Sequence, residues 1–138
     1  MRSEERKNEL GEVFTPPELV EEILDQLPSE TWTDPTKTFL EPSCGNGNFL
    51  VALKERLLKH GHEERQVLER LHGVDLMQDN IDETKDRLDP DRKYRDILDL
   101  NIVCADGLKY HYRFDGTPCD PTPEEKNEEH FNNMFEIA

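Results

Sequence analysis

The sequence has few cysteines, few basic residues and no long apolar run, and each shortage excludes a class of protein. Its 3 cysteines are far apart and its 5 histidines are scattered, so the sequence predicts neither a disulfide framework nor a metal site. No stretch approaches the roughly 18 apolar residues that cross a bilayer. Residues 1–10 form a charged segment rather than an export signal. We therefore expect a cytoplasmic protein with no membrane partner.

Acidic residues dominate the charge. Lys plus Arg number 17 against 32 Asp plus Glu, which gives a formal net charge of -15. Such a surface repels nucleic acid wherever the acids are not neutralised, so unaided DNA binding is disfavoured. The acidity has two interpretations that the sequence leaves open: a solubilising surface, or mimicry of DNA towards a DNA-binding protein.

At 138 residues with 33% apolar residues, one domain with a small core is expected.

The spacing of apolar residues predicts alternating helices and strands. A first helix begins with a Thr15 cap and two prolines and ends near Leu27, ahead of a further proline. Residues 115–130 are rich in proline and acids and are predicted to form an exposed loop. Further helices are predicted at residues 49–60, 63–71 and 79–88, and strands at 38–40, 73–76 and 101–105. The predicted fold is α/β, with a parallel sheet of three to four strands flanked by helices.

Unusual residues follow each of the three predicted strands. In an open parallel sheet, ligands bind beyond the carboxyl ends of the strands. That edge would gather Glu41, Gly45, Gly47, Asp75, Asp106 and Gly107. We therefore expect one ligand to contact all of them.

The residue types at that edge suit the parts of an adenosine-type ligand. A carboxylate at Asp75 suits the two vicinal hydroxyls of a ribose, and glycines let a backbone approach a ligand closely. Asp106 can accept a hydrogen bond from an exocyclic amine such as the adenine N6. Leu76, Met77 and Leu108 offer apolar surface to the base.

Each of these signals is weak alone. An Asp after a strand is more often a helix cap, and a Gly-x-Gly pair is common. A dinucleotide-binding turn would have glycine where Leu50 stands, and a phosphate-binding loop would need Gly-Lys-Ser/Thr after Gly47. A phosphate-binding turn is therefore disfavoured, and the joint order of the residues matters more than any one of them.

Four segments carry a resemblance to a known family. Residues 11–17 (GEVFTPP) and 39–50 (FLEPSCGNGNFL) resemble motifs X and I of the N6-adenine DNA methyltransferases. Residues 73–76 (GVDL) and 102–107 (IVCADG) are similar to motifs II and III, in the γ order with motif X first. That order resembles the modification methylases of type I and type IIG systems. The resemblance implies a partial Rossmann-like class I methyltransferase fold and S-adenosylmethionine as cofactor.

The resemblance also implies how the cofactor is bound. Thr15 and the backbone near Phe14 would contact the methionine carboxylate, and Glu41 with the glycine turn would surround the rest of the amino-acid arm. Asp75 would bind the ribose and Met77 the adenine ring. The complete set of expected cofactor-binding residues is Phe14, Thr15, Glu41, Pro42, Cys44, Gly45, Asn46, Gly47, Asp75, Leu76, Met77, Asp106, Gly107 and Leu108.

The catalytic motif of that family does not occur in these 138 residues. It consists of Asn or Asp, two prolines and Tyr or Phe, and it holds the flipped target adenine. Residues 119–123 (CDPTP) lack the second of the adjacent prolines and the aromatic, whereas residues 134–138 (MFEIA) resemble the start of the strand that delivers the motif. No catalytic residue is therefore assigned. We expect residues 1–138 to form a single truncated cofactor-binding domain that is inactive alone.

Three roles remain open. The first is the S-adenosylmethionine-binding portion of a DNA adenine-N6 methyltransferase from a restriction-modification system, which would contact DNA only through a missing or separate recognition part. The second is a non-enzymatic acidic protein, of the DNA-mimic or antirestriction type, that keeps the methyltransferase fold. The third is an enzyme completed by a second protein subunit that supplies the catalytic motif.

Overall fold

The computed structural model describes residues 14–117, which form three strands and six helices. In chain order the elements are α1 (Pro17–Asp25), α2 (Glu30–Thr33), β1 (Phe39–Glu41), α3 (Asn48–Lys59), α4 (Glu64–Arg70), β2 (Leu71–Asp75), α5 (Gln78–Leu88), α6 (Arg95–Asn101) and β3 (Ile102–Cys104). The strands form one parallel sheet in the order β1-β2-β3. The predicted α/β fold is confirmed. Residues 134–138, predicted to begin a further strand, and most of the loop predicted at 115–130 lie outside the described residues.

The core lies between the sheet and the helices. The central strand β2 contributes the fully buried Leu71 and Val74. Helix α3 buries Leu50, Leu53 and Leu57, whose spacing of three and four residues places them on one helix face. Because the strands are packed into this core, the loops that follow their carboxyl ends begin at fixed positions.

The start of α1 differs from its prediction. The residue at the N-cap is Pro16 rather than Thr15, and no side chain makes a capping hydrogen bond there. The Pro16 carbonyl accepts the first helical bond from the Val20 N–H at 3.0 Å. The Thr15 cap was therefore wrong. Thr15 instead presents its carbonyl to the side chain of Asn48, with an N···O distance of 2.7 Å.

Two short helices, α2 and α6, were not predicted. Helix α6 runs directly into β3, so Asn101, predicted to begin a strand, ends a helix instead. The Asn101 amide donates to the Leu68 and Glu69 carbonyls at 3.2 and 3.3 Å, which joins the end of α6 to α4. Leu71 was likewise predicted to end a helix, but it is the first residue of β2. In both places a helix changes into a strand with no glycine or proline to mark the change.

Candidate functional site

The turn between β1 and α3, residues 44–47, is enclosed by other parts of the chain. Gly45 and Gly47 have φ values of 53° and 91°, in the left-handed region that favours glycine. A Cβ on Gly45 would lie 2.9 Å from the Phe14 ring, and a Cβ on Gly47 would lie 3.0 Å from the Thr84 side chain. The close neighbour of Gly47 is therefore helix α5, whereas Gly45 lies against Phe14.

Asp75 joins this turn to the start of α5. Its Oδ1 accepts the Gly45 N–H at 3.1 Å, and its Oδ2 accepts the Met77 N–H at 3.0 Å and the Asn80 side-chain amide at 2.9 Å. The N-cap of α5 is Met77 and not Asp75. A carboxylate has about four lone-pair positions, and the chain occupies three of them, so about one position is left for a ligand.

Three polar residues of α5 hold the turn, and the sequence analysis did not identify them. The Thr84 hydroxyl lies 3.1 Å from the Gly45 carbonyl oxygen. Arg87 Nη1 donates to the Asn46 carbonyl at 2.8 Å, and Asn80 contacts Asp75 as described above. Their spacing of four and three residues puts them on one face of the helix. That polar spacing was the sequence signal that could have found them.

Burial changes the acidity of one group in the turn, Cys44, and of one just before it, Glu41. Burial raises the pKa of Glu41, and a hydrogen bond from the Ser43 N–H, 3.1 Å from Oε1, acts in the opposite direction. Burial, reinforced by the nearby charge of Asp75, raises the pKa of the Cys44 thiol to about 12. Cys44 is therefore a neutral packing residue at neutral pH rather than a nucleophile.

The loop after β3 reaches the loop after β1. A Cβ on Gly107 would lie 2.8 Å from the Pro42 carbonyl oxygen. The Tyr112 hydroxyl donates to the Gly107 carbonyl at 2.6 Å, which further holds Gly107 in place. Asp106 accepts the Leu108 N–H at 2.9 Å on one carboxylate oxygen. The predicted residues of the first and third loops are therefore adjacent.

The apolar residues predicted to contact a base are open to solvent. Leu76 is 58% exposed and Leu108 is 86% exposed, and Met77 is half-buried. Among the large apolar side chains of residues 14–117, those of Leu76 and Leu108 are the two most exposed.

Two further kinds of site were sought in residues 14–117. No group of three or more His, Cys, Asp or Glu side chains is arranged there to hold a metal ion. No helix in this part of the chain has both the length and the apolar character needed to span a membrane.

Comparison with known proteins gives two matches. Residues 1–85 match the family described as N-6 DNA Methylase. The chain is also similar to Type II methyltransferase M.VspI of Vibrio sp. (strain 343), with 27% identity over 113 residues, which are 82% of this chain and 24% of that relative. The chain thus spans about a quarter of the length of this relative. No solved structure gave a significant match. The family match includes Asp75 and Thr84 but stops before Asp106.

Proposed function

Because the chain belongs to the N-6 DNA Methylase family, we propose that it binds S-adenosylmethionine at the carboxyl ends of β1, β2 and β3. In this proposal the chain is the cofactor-binding part of a DNA adenine-N6 methyltransferase. The observation that carries it is the position of Asp75. This one carboxylate is hydrogen-bonded to the glycine turn through Gly45 and is followed directly by the exposed Leu76.

The amino-acid arm of the cofactor is assigned to the turn. The half-buried turn at Gly45 and Asn46, with Thr15 and the Phe14 ring beside it, would receive the arm, and Glu41 would face its ammonium group. A cation beside Glu41 opposes the effect of burial on the pKa of this carboxyl. Gly47 contributes indirectly, because its Cα faces Thr84 and lets α5 approach the turn.

The ribose is assigned to Asp75. The two ribose hydroxyls need two acceptor positions on the Asp75 carboxylate. Its three hydrogen bonds within the chain leave about one position. Cofactor binding therefore replaces or shares one internal bond. The Gly45 N–H bond, the longest at 3.1 Å, is the one expected to change.

The adenine is assigned to the loops after β2 and β3. Leu76, Met77 and Leu108 supply apolar surface, and burying Leu108, which is 86% exposed, beneath the base gives a favourable hydrophobic contribution. Asp106 uses one oxygen for the Leu108 N–H. Its second oxygen makes no hydrogen bond with the described residues and is suited to accept from the adenine N6.

Methyl transfer needs groups that these 138 residues do not contain. The bound cofactor supplies an electrophilic methyl group on its sulfonium, while this chain would bind and orient it. The base-flipping motif is absent from the sequence, so the aromatic platform and DNA contacts are assigned to a separate recognition part or a second subunit.

Calorimetric titration of the chain with S-adenosylmethionine tests the proposal. We expect saturable binding of one cofactor per chain, and an absence of binding would contradict it. A methylation assay on adenine-containing DNA should show no transfer by the chain alone. Turnover by the lone chain would overturn the assignment of catalysis to other residues.

The net charge of -15 favours a second candidate, a non-enzymatic acidic protein that occupies a DNA-binding protein. Such a protein would not need the cofactor. It would bind a nuclease or a methylase with an affinity that falls steeply as salt is added. Salt-sensitive binding combined with no affinity for S-adenosylmethionine would support this candidate over the first.

A further inference from the structure

Two residues outside the predicted set connect the segment before α1 to the glycine turn. The Asn48 side-chain Nδ2 donates to the Thr15 carbonyl at 2.7 Å. Arg87 Nη1 donates to Asn48 Oδ1 at 2.9 Å and to the Asn46 carbonyl at 2.8 Å. A continuous chain of hydrogen bonds therefore runs from α5 through α3 to Thr15.

Both polar atoms of the Asn48 amide make hydrogen bonds. Its nitrogen donates to a carbonyl, which has no proton to give, and its oxygen accepts from a guanidinium, which has no lone pair to offer. The two partners thus fix one orientation of the amide. Arg87 bonds Asn48 and the turn backbone at Asn46 through the same nitrogen, so Thr15 and the turn are held in one arrangement.

Resting on the proposed function, we propose that Asn48 and Arg87 are positioning residues that set the affinity for the amino-acid arm of the cofactor. Through the Thr15 carbonyl they hold the segment before α1 across the turn. The Phe14 ring in this segment packs so closely on Gly45 that a Cβ there would lie 2.9 Å from it. Asn48 and Arg87 do not act on the ribose or the adenine, which belong to Asp75 and the loops after β2 and β3.

Two thioether ligands separate this role from a general effect on folding. S-adenosylhomocysteine has the amino-acid arm, whereas 5′-deoxy-5′-methylthioadenosine keeps the adenine and ribose without it. In Asn48→Ala and Arg87→Gln we expect the affinity for S-adenosylhomocysteine to fall about threefold to tenfold, the effect of one net hydrogen bond. The affinity for methylthioadenosine should not change.

Asn48→Asp is a second variant that protects the test against misfolding. It removes the donor to Thr15, keeps an acceptor for Arg87, and adds a negative charge at the first residue of α3, where the helix dipole favours it. This variant should also bind S-adenosylhomocysteine more weakly, while its affinity for methylthioadenosine should stay unchanged.

Gln66 provides a matched control. Its amide nitrogen donates to the Pro35 carbonyl at 2.9 Å and its amide oxygen accepts from Arg70 at 3.0 Å, which is the same arrangement away from the site. Gln66→Ala should bind both ligands as the wild type does. Equal loss of both ligands in the Asn48 variants, or no loss in any variant, would overturn the positioning role alone. A wild-type chain that binds neither ligand would overturn the proposed function as well.

Discussion

The two sides of the candidate site are built differently. The arm side, Phe14 with residues 44–47, is enclosed: Cys44 is buried, and Gly47 lies against Thr84. The base side, residues 76–77 and 106–108, is open, and its Leu108 is 86% exposed. The arm side therefore has its shape fixed by hydrogen bonds and packing before any ligand arrives. The base side has polar contacts in place, and its apolar surface is open to solvent.

The largest expected difference between the sides is in thiol reactivity. Cys44 is buried on the arm side, and Cys104 is exposed at the end of β3 next to the base side. Burial raises the pKa of the Cys44 thiol to about 12 and also shields it from a reagent. Burial raises the pKa of Cys104 as well, but this thiol is exposed, so access to the thiol favours reaction at Cys104. In a Cys119→Ser background, mass spectrometry after iodoacetamide treatment should find Cys104 modified far ahead of Cys44. Similar rates in the folded chain would show that the arm side is open.

The next effect concerns Asp75, which stands between the sides. Asp75→Asn should weaken S-adenosylmethionine binding by about tenfold to 100-fold in calorimetry, because the two ribose hydrogen bonds replace one internal bond, and a net gain of one hydrogen bond to a charged group is about 1.5–3 kcal/mol. Asp89→Asn is the control, since Asp89 is buried and accepts the Lys93 and Tyr94 N–H groups outside the site. Its affinity should match the wild type. If the Asp75 variant binds S-adenosylmethionine as tightly as the wild type, the assignment of the ribose to Asp75 is wrong.

Two glycines with nearly the same positive φ test how tightly the arm side is packed. Gly47 and Gly61 have φ values of 91° and 90°, but a Cβ on Gly61 would meet nothing within 4 Å. Gly61→Ala should cost roughly 1–2 kcal/mol of unfolding free energy for the left-handed conformation. Gly47→Ala should cost about 1–3 kcal/mol more, because its methyl group overlaps Thr84. Urea unfolding gives both values, and equal losses would mean that α5 does not fix the turn.

The smallest effect is expected on the base side. Leu108→Ala should change the unfolding free energy by no more than about 0.5 kcal/mol. It should weaken S-adenosylmethionine binding about threefold to tenfold, through the loss of roughly 1 kcal/mol of apolar contact. Leu27→Ala, at a leucine 38% exposed beyond α1, should leave binding unchanged. If both variants bind as the wild type does, the base lies elsewhere.

The sequence predicted elements well where apolar spacing or glycine punctuation was strong. The strand, turn and helix around residues 39–59 and the helix near 78–88 were found because each shows a period or a clear break. Helix α6 was missed because it has 7 residues, about two turns, and no break before β3. The Thr15 cap failed because Asn48, 33 residues further along the chain, binds its carbonyl, which local pattern cannot show.

The candidate site was predicted unevenly for the same reason. Residues that end strands, or follow them by one or two positions, share an edge by topology, so Glu41, Asp75 and Asp106 could be grouped from sequence. The role of Gly47 in packing against Thr84 and the bonds from Arg87 to the turn depend on how α5 lies across the turn. That placement follows from three-dimensional packing and not from any local motif.

A crystal structure of the chain with S-adenosylhomocysteine tests the central claim most directly. The account predicts both ribose hydroxyls on the Asp75 carboxylate, the amino-acid arm over Gly45, and the adenine against Leu76 and Leu108. It also predicts a lengthened or broken bond between the Gly45 N–H and Asp75. A nucleoside bound away from Asp75, with the internal hydrogen bonds of that carboxylate unchanged, would contradict the account.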